Sequence, residues 1–280
     1  RKIKPIARKI FRQISLILAQ TDQYAQRFKE IGSPDEKVIV TGSLKYDTAQ
    51  ITDKVEGADA LAAQLNIRNK RLWVAGATGQ GEEKIILDVF KKLIANQRLS
   101  DLRLVIVPRK PERFDEVAQL IKENGFDLIR YSQIKKLATE NTESTEKSKI
   151  ENRKSKIGTV VLGDTMGDLR KFYSLATIIF VGRSLVPMGG SDMMEAAALG
   201  KCTIFGPHTF NFKQAADALL ADAGAIMVKD EKELLRTMEK CLLEPDFAQK
   251  IAFVGREVIR KNQGATTRTM EQISHIIGRV

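Results

Sequence analysis

Four stretches of the 280-residue sequence carry residue types suited to gripping an anion or a sugar. The first is Gly76-Ala77-Thr78-Gly79-Gln80-Gly81-Glu82-Glu83, glycines and a hydroxyl ahead of a helical pattern. Such a turn can offer backbone N–H groups to an anion at a helix start. It is not the dinucleotide fingerprint, and no acidic residue ends the next apolar run. A plain tight turn with Glu82 and Glu83 complementing the helix dipole accounts for it equally well. The second stretch, Pro108-Arg109-Lys110-Pro111-Glu112-Arg113-Phe114, holds Arg109 between two stiffening prolines. Pro111 suits a first helical position, and the guanidinium fork is free for a phosphate or carboxylate, or else pairs with Glu112 or Asp168.

The third stretch is Gly163-Asp164-Thr165-Met166-Gly167-Asp168-Leu169. Asp164 or Thr165 can cap a helix there, and Thr165-x-x-Asp168 fits a capping box. That leaves Gly167 unexplained, because glycine in a first helical turn costs up to about 1 kcal/mol against alanine unless something must approach the backbone. The fourth stretch, Phe180 to Gly200, holds a Gly189-Gly190 turn and then Ser191-Asp192-Met193-Met194-Glu195, with a helix read from near Asp192 to Gly200. Asp192 and Glu195 either form a capping box, or a phosphate sits on the N-terminal amides while Glu195 accepts from a ribose diol.

These stretches need a scaffold, and the apolar pattern supplies one. Short apolar runs at Leu72–Ala75, Leu102–Val107, Phe126–Tyr131, Thr159–Leu162, Thr177–Val181, Thr203–Phe205 and Ala225–Val228 read as strands. Helix-period segments between and after them cover about 82–96, 111–124, 165–174, 192–199, 211–222, 231–243, 246–261 and 266–278. Strands this short and this apolar, each followed by a helix, predict an α/β domain with a doubly wound parallel sheet covered on both faces. In such sheets ligands bind beyond the carboxyl ends of the strands, where the four stretches fall. Ahead of this domain, the spacing from Ile6 to Ile31 is helical and stops at Gly32-Ser33-Pro34, Lys37 to Thr41 is a β-branched run, and Lys45 to Gly57 reads as a linker. Residues 138–157 are polar and low in complexity, which predicts a mobile surface loop.

Composition excludes several classes. With 43% apolar residues the chain can bury a core, and its two cysteines, Cys202 and Cys241, give neither a disulfide framework nor a CxxC metal site. His208 and His275 are isolated, so no metal is called for, and His208 reads as ordering its loop. No run of apolar residues is long enough to span a membrane, and the start lacks a signal peptide's apolar region, so the reading is a cytosolic protein. The net charge of +11 is concentrated. Residues 1–12 hold six basic and no acidic residues, and 133–157 hold seven basic against four acidic, so the remaining chain is close to neutral. With aromatics at only 6%, this argues against a nucleic-acid partner. The basic start, with Ile3, Ile6, Ile10, Phe11 and Ile14, suits an ordinary helix with a solvated face or contact with anionic lipid. The sequence opens on Arg1 rather than Met, which suggests a piece of a longer protein.

Taken together the motifs are recognisable. ISLILAQTDQYAQRF, VTGSLKYD, the GEE after the first strand, VPRKPERF, LGDTMGDL, FVGRSLVPMGG and FGPHTFNF occur in order between Ile14 and Phe212. In them the chain resembles the C-terminal half of the Kdo (3-deoxy-D-manno-octulosonic acid) transferases of lipopolysaccharide synthesis. The resemblance implies a GT-B glycosyltransferase, with residues 1–48 the end of the N-terminal domain and hinge, and 49–280 the Rossmann-like domain that binds the nucleotide sugar. It implies a CMP-Kdo donor, a lipid A precursor as acceptor, inverting transfer without metal or other cofactor, and work at the inner face of the cell membrane, reached through the N-terminal part.

Carried over by position, the donor contacts would be Pro108 and Arg109, the Met166-Gly167-Asp168 turn, and Gly190 with Asp192, Met193, Met194 and Glu195. Lys45 matches a lysine at the interdomain hinge. The family's catalytic base is a carboxylate of the N-terminal domain, and no residue here is nominated for it. Three positions depart from the family: Ala77-Thr78-Gly79-Gln80 replaces a Ser-Thr-His, Ser191-Asp192 replaces His-Asn after the glycine pair, and Asp168 stands for a Glu. An alternative is therefore a divergent nucleotide-sugar-binding module without transfer activity.

Overall fold

The computed structural model describes residues 4–68, 70–139 and 158–278. By its internal contacts the chain divides into two compact units, Arg1–Gln50 with Ile259–Val280, and Ile51–Val258.

In the first unit, helix α1 (Lys4–Gln13) is followed by strand β1 (Ile17–Ala19), helix α2 (Asp22–Ile31) and strand β2 (Val38–Val40). This corrects the single helix expected from Ile6 to Ile31. The helical spacing is interrupted at Ile17–Ala19, which pairs in parallel with β2, Ile17 opposite Val38. Thr21 then starts a new helix by accepting from the Tyr24 N–H at 3.3 Å. Ile17, Ala19, Ala25 and Val38 form a small core with Phe11, Ile14 and Phe28 packed on it. The expected linker from Lys45 is also corrected over its first residues, where helix α3 (Lys45–Thr48) forms and Tyr46 is buried.

The second unit begins with helix α4 (Ala58–Gln64), which the sequence pattern did not reveal, and contains one seven-stranded sheet. Its strands are β3 (Leu72–Thr78), β4 (Arg103–Pro108), β5 (Asp127–Arg130), β6 (Thr159–Leu162), β7 (Ile178–Val181), β8 (Cys202–Phe205) and β9 (Ile226–Met227). All seven answer to the expected apolar runs, every pairing is parallel, and the order is β5-β6-β4-β3-β7-β8-β9. Among the described residues the helices of this unit that follow α4 are α5 (Glu82–Ile94), α6 (Phe114–Glu123), α7 (Tyr131–Thr139), α8 (Leu169–Leu175), α9 (Met194–Ala198), α10 (Lys213–Ala221), α11 (Glu231–Leu243) and α12 (Pro245–Asn262), whose last turn belongs to the first unit. Helix α7 takes Tyr131 out of the expected third strand. The expected mobile loop at 138–157 lies outside the described residues from 140 onward.

β3, β7 and β8 are buried along their whole length, because both faces of the sheet are covered. A continuous core runs from Trp73 and Ile106 on the sheet to Phe90 on α5, Val117 on α6 and Met238 on α11. Within it the free thiols of Cys202 and Cys241 lie 3.8 Å apart. Strands added after β3 fall to one side of it and β7 to β9 to the other, so the order reverses between β3 and β7. The crevice at a parallel sheet's carboxyl edge opens at such a reversal.

Helix α13 (Ala265–Ile277) completes the first unit. Asp47 accepts from the N–H groups of Gly264 at 2.7 Å and Thr266 at 2.6 Å, and Gln263 donates to the carbonyls of Tyr46 and Ala49. These bonds explain why residues 45–50 are ordered structure rather than a solvated linker. Among the described residues no helix is long and apolar enough to cross a membrane.

Candidate functional site

The loops leaving β6, β4, β3 and β7 lie side by side at the carboxyl edge of the sheet; seven of the eleven nominated residues are on them, Pro108 closes β4, and Met194 and Glu195 open α9. The eleventh, Lys45, opens α3 in the other unit.

Between β3 and β7 the crevice is filled from within. The Glu82 side chain, at the first residue of α5, is fully buried. Its Oε2 accepts from the backbone N–H of Gly79 at 2.9 Å and of Arg183 at 2.5 Å, and its Oε1 from those of Ser184 at 2.7 Å and Leu185 at 2.9 Å. Burial pushes this carboxyl above its usual range, against the pull of the four amides. Glu83 accepts from the Thr78 hydroxyl at 2.8 Å and forms a bidentate pair with Arg113, at 2.6 and 3.2 Å. The turn therefore has its Gly79 amide already taken, and neither carboxylate merely complements the helix dipole. Spacing alone gave no sign of partners about a hundred residues away.

Beside it the β4 exit is open. Pro108 is buried and pairs across the sheet with Thr78, and the Arg109 N–H donates to the Thr78 carbonyl at 3.1 Å. The backbone of Arg109 is thus fixed while its side chain is exposed and makes no hydrogen bond or ion pair among the described residues. The alternative pairing with Glu112 or Asp168 does not occur.

At the β6 exit both acids are consumed. Asp164 accepts from Arg130 at 2.6 Å, from the Ser132 N–H at 2.8 Å and from the Ser132 hydroxyl at 2.7 Å. Asp168, 3% exposed, accepts from Lys135 at 2.8 Å, Lys171 at 2.9 Å and the Thr165 hydroxyl at 2.8 Å. Burial alone would raise its pKa, but the two lysines and the hydroxyl outweigh it and hold the carboxyl down at about 2. The expected capping box is thereby corrected: α8 starts at Leu169, and neither Asp164 nor Thr165 caps it. Gly167 has φ of +86°, a conformation that explains the glycine, and a Cβ there would meet no atom of the described residues within 4 Å. Met166 beside it is 62% exposed.

The β7 exit loop is folded on itself. Gly190 N–H donates to the Arg183 carbonyl at 2.7 Å, the Ser191 hydroxyl to the Ala77 carbonyl at 3.2 Å, and Asn211 N–H to the Gly189 carbonyl at 3.0 Å. His208 contributes through its backbone, donating to the Ser184 carbonyl at 2.9 Å. The helix expected from Asp192 to Gly200 is shorter, Met194–Ala198, with Asp192 accepting from the Met194 N–H at 2.8 Å. Met193 and Met194 are buried, so at these two nominated positions the side chains belong to the core rather than to a ligand surface. Glu195 lies 3.9 Å from Arg170 on α8. Burial raises its pKa and Asp192 adds to that, while Arg170 opposes both. The neighbouring Tyr173 hydroxyl is buried without a hydrogen-bond partner among the described residues, its ring packed over Gly76. Parallel strands are about 4.8 Å apart, so the β4 and β7 exits carrying Arg109 and Glu195 stand two spacings, about 10 Å, from each other.

Comparison with known proteins agrees with the motifs. Residues 1–48 match the family model described as 3-deoxy-D-manno-octulosonic-acid transferase (kdotransferase). A 3-deoxy-D-manno-octulosonic acid transferase of Haemophilus influenzae is 34% identical over 99% of this chain and 61% of its own length. That of Bordetella pertussis is 30% identical over 94% of this chain and 56% of its own. The chain thus spans about three-fifths of the length of these two relatives. Among solved structures, the C-terminal CMP-Kdo binding domain of WaaA from Acinetobacter baumannii superposes with a TM-score of 0.61 at 26% identity, covering 73% of this chain and 96% of that domain. A glycosyltransferase from Rickettsia africae shares the fold, with a TM-score of 0.57 at 16% identity over 99% of this chain and 67% of its own. The sheet unit has the fold of a GT-B C-terminal, Rossmann-like domain.

Proposed function

We propose that this chain, a relative of the Kdo transferases over almost its whole length, binds CMP-Kdo at the carboxyl edge of its parallel sheet and is the donor-binding part of an enzyme that transfers Kdo to a lipid A precursor. The observation that carries the reading is Arg109, whose backbone is fixed on β3 and whose guanidinium is unpaired among the described residues, on a strand exit two places along the sheet from the β7 exit that leads to Glu195.

In this reading an acceptor hydroxyl attacks the anomeric carbon of Kdo with inversion, the bond from that carbon to the CMP phosphate breaks, and CMP leaves with the negative charge. Arg109 stabilises that charge together with the amides that follow Gly190, whose own N–H is held by the Arg183 carbonyl, and Glu195 orients the ribose by accepting from its hydroxyls. Pro108 and the Met166-Gly167-Asp168 turn border the nucleotide, Asp168 contributing through backbone because its carboxylate is saturated by Lys135 and Lys171. Lys45 is assigned to the hinge side, and the general base to none of these residues. Transfer takes place at the inner face of the membrane that carries the acceptor.

A second reading, a binding module without transfer activity, is favoured by Asp192, a carboxylate placed beside the intended phosphate position and raising the pKa of Glu195. Titrating CMP and CMP-Kdo into the chain by calorimetry tests the donor site. Saturable binding of both supports it, and no binding of either refutes it. Turnover measured with CMP-Kdo and a lipid A precursor on a protein of the relatives' full length separates transferase from binding module.

A further inference from the structure

The buried Glu82 carboxylate is engaged in a way that the donor site does not use. Three consecutive N–H groups, of Arg183, Ser184 and Leu185, converge on it, together with that of Gly79 from the opposite loop. Consecutive amides aimed at one point form a nest of the kind that binds phosphate. This nest lies between β3 and β7, where the strand order reverses and an open α/β sheet offers its ligand crevice. Here the chain's own carboxylate fills it.

The loop held this way is the one that leads to the donor residues. Arg183 has φ of +60°, a conformation that a non-glycine residue keeps only when its surroundings enforce it. From Arg183 the Gly190 N–H is fixed at 2.7 Å, and from Ser184 the hydroxyl accepts from Gly206 N–H at 2.7 Å while the carbonyl accepts from His208 N–H at 2.9 Å. The β3 and β7 exits therefore meet at one carboxylate, and the β8 exit is tied to them through Ser184. Removing it would leave four donors without this acceptor, two of them in the buried residues Gly79 and Ser184, and free the segment before Gly190 to Glu195.

We propose that Glu82 is a positioning residue that occupies the anion nest at the strand-order reversal, and by doing so holds the β7 exit loop in the shape that presents Gly190 to Glu195 to the donor. The nucleotide phosphate is then received at the β4 exit, by Arg109, rather than at the reversal itself. This inference rests on the donor-site reading for its effect on CMP, while the nest itself can be tested without it.

The experiment compares the wild-type chain with Glu82→Ala and Glu82→Gln, measuring CMP affinity and melting temperature with sodium formate or with sodium chloride of equal ionic strength. Glu82→Ala is expected to lose about tenfold or more in CMP affinity, because small displacements of a binding group are costly. Formate, a carboxylate small enough for the vacated nest, should restore much of that affinity and raise the variant's melting temperature, where chloride does neither and the wild type gains nothing. Glu82→Gln should fall between, since one amide oxygen can serve only part of the nest and its NH2 faces donors. Wild-type affinity in Glu82→Ala overturns the positioning role. Should Glu82→Ala fail to fold without formate, its recovery with formate supports the nest, and full wild-type affinity and melting temperature in Glu82→Gln overturns it, because volume alone would then suffice. If the wild type binds no CMP, the donor reading fails on its own, and the formate-dependent melting temperature of Glu82→Ala still decides the nest.

Discussion

Two neighbouring openings at one sheet edge have been treated in opposite ways. Between β3 and β7, Glu82 supplies the charge that the amides call for, and the crevice is closed. At the β4 and β6 exits, Arg109 is exposed and unpaired among the described residues, and Gly167 faces open space. A site that answers its own electrostatics is structure, and one that leaves a fixed cation unanswered is where an anionic ligand is expected. The difference separates four motifs that look alike in sequence, all of them glycines and charged residues after an apolar run.

Glycine replacement gives the largest contrast. At Gly182, a Cβ would meet the backbone of β3, 2.5 Å from Thr78 Cα and 2.8 Å from the Ala77 carbonyl oxygen, neither of which can yield. Gly182→Ala should therefore cost about 3 kcal/mol or fail to fold. Gly167→Ala meets no atom of the described residues and carries the strain of a left-handed alanine, about 1 kcal/mol. Urea unfolding of the two variants checks this, and equal losses would erase the distinction between a packed and an open edge.

Arg109→Ala comes next and acts on binding. Removing a charge-assisted contact worth roughly 1.5 to 3 kcal/mol should weaken CMP by ~10- to 150-fold, with the melting temperature little changed, since the side chain supports nothing in the fold. Calorimetric titration reads the first and thermal unfolding the second. Unchanged CMP affinity would remove the residue on which the donor reading rests.

Asp168→Asn should show the reverse pattern. The native carboxyl sits at about 2, below the ordinary aspartate value of 3.8, so its contribution is fully present above about pH 4 and is lost as the pH falls toward 2. A depression of this size corresponds to about 2 kcal/mol, which Asp168→Asn should lose at pH 7. The variant's stability should then fall less steeply than the wild type's between pH 4 and pH 2, while its CMP affinity stays nearly constant. A large loss of affinity would mean that the carboxylate itself meets the donor.

These contrasts mark what could be read from the chain. All seven strands of the large sheet are legible because buried parallel strands must be apolar on both faces, and the motifs lie where loops must leave them. Strand β1 is hidden because Ile17 and Ala19 also satisfy a helical period, and only β2, some twenty residues on, decides between the two. The burial of Met193 and Met194 is equally invisible, since two methionines after a glycine turn fit a ligand wall or a core. Pairing is the least legible. Asp168 is claimed by Lys135 across 33 residues, and Glu82 by amides more than a hundred residues away, so spacing suggests local caps where the fold makes long-range ties.

Glu195→Gln should have the smallest effect and divides structure from function at one carboxylate. Burial raises the Glu195 pKa and Asp192 adds to it, with Arg170 at 3.9 Å opposing both. An acid whose folded pKa lies above its unfolded value favours the folded state in its protonated form, and that advantage fades as the pH rises through the folded pKa. Once ionised, Glu195 adds no stability through this shift, and Gln should leave the melting temperature unchanged or slightly higher. A donor ribose is more demanding, because its two hydroxyls want acceptors and the Gln side chain offers one oxygen, so CMP affinity should fall about three- to tenfold, roughly one neutral hydrogen bond. Lowering the pH toward the raised pKa should weaken CMP binding by the wild type more than by the Gln variant, in which the phosphate of CMP is the only one of the two groups left to titrate. If both chains bind CMP equally at every pH, Glu195 belongs to the internal charge pattern of α8 and α9, and the ribose must be held elsewhere, with Arg109 still free to hold the phosphate.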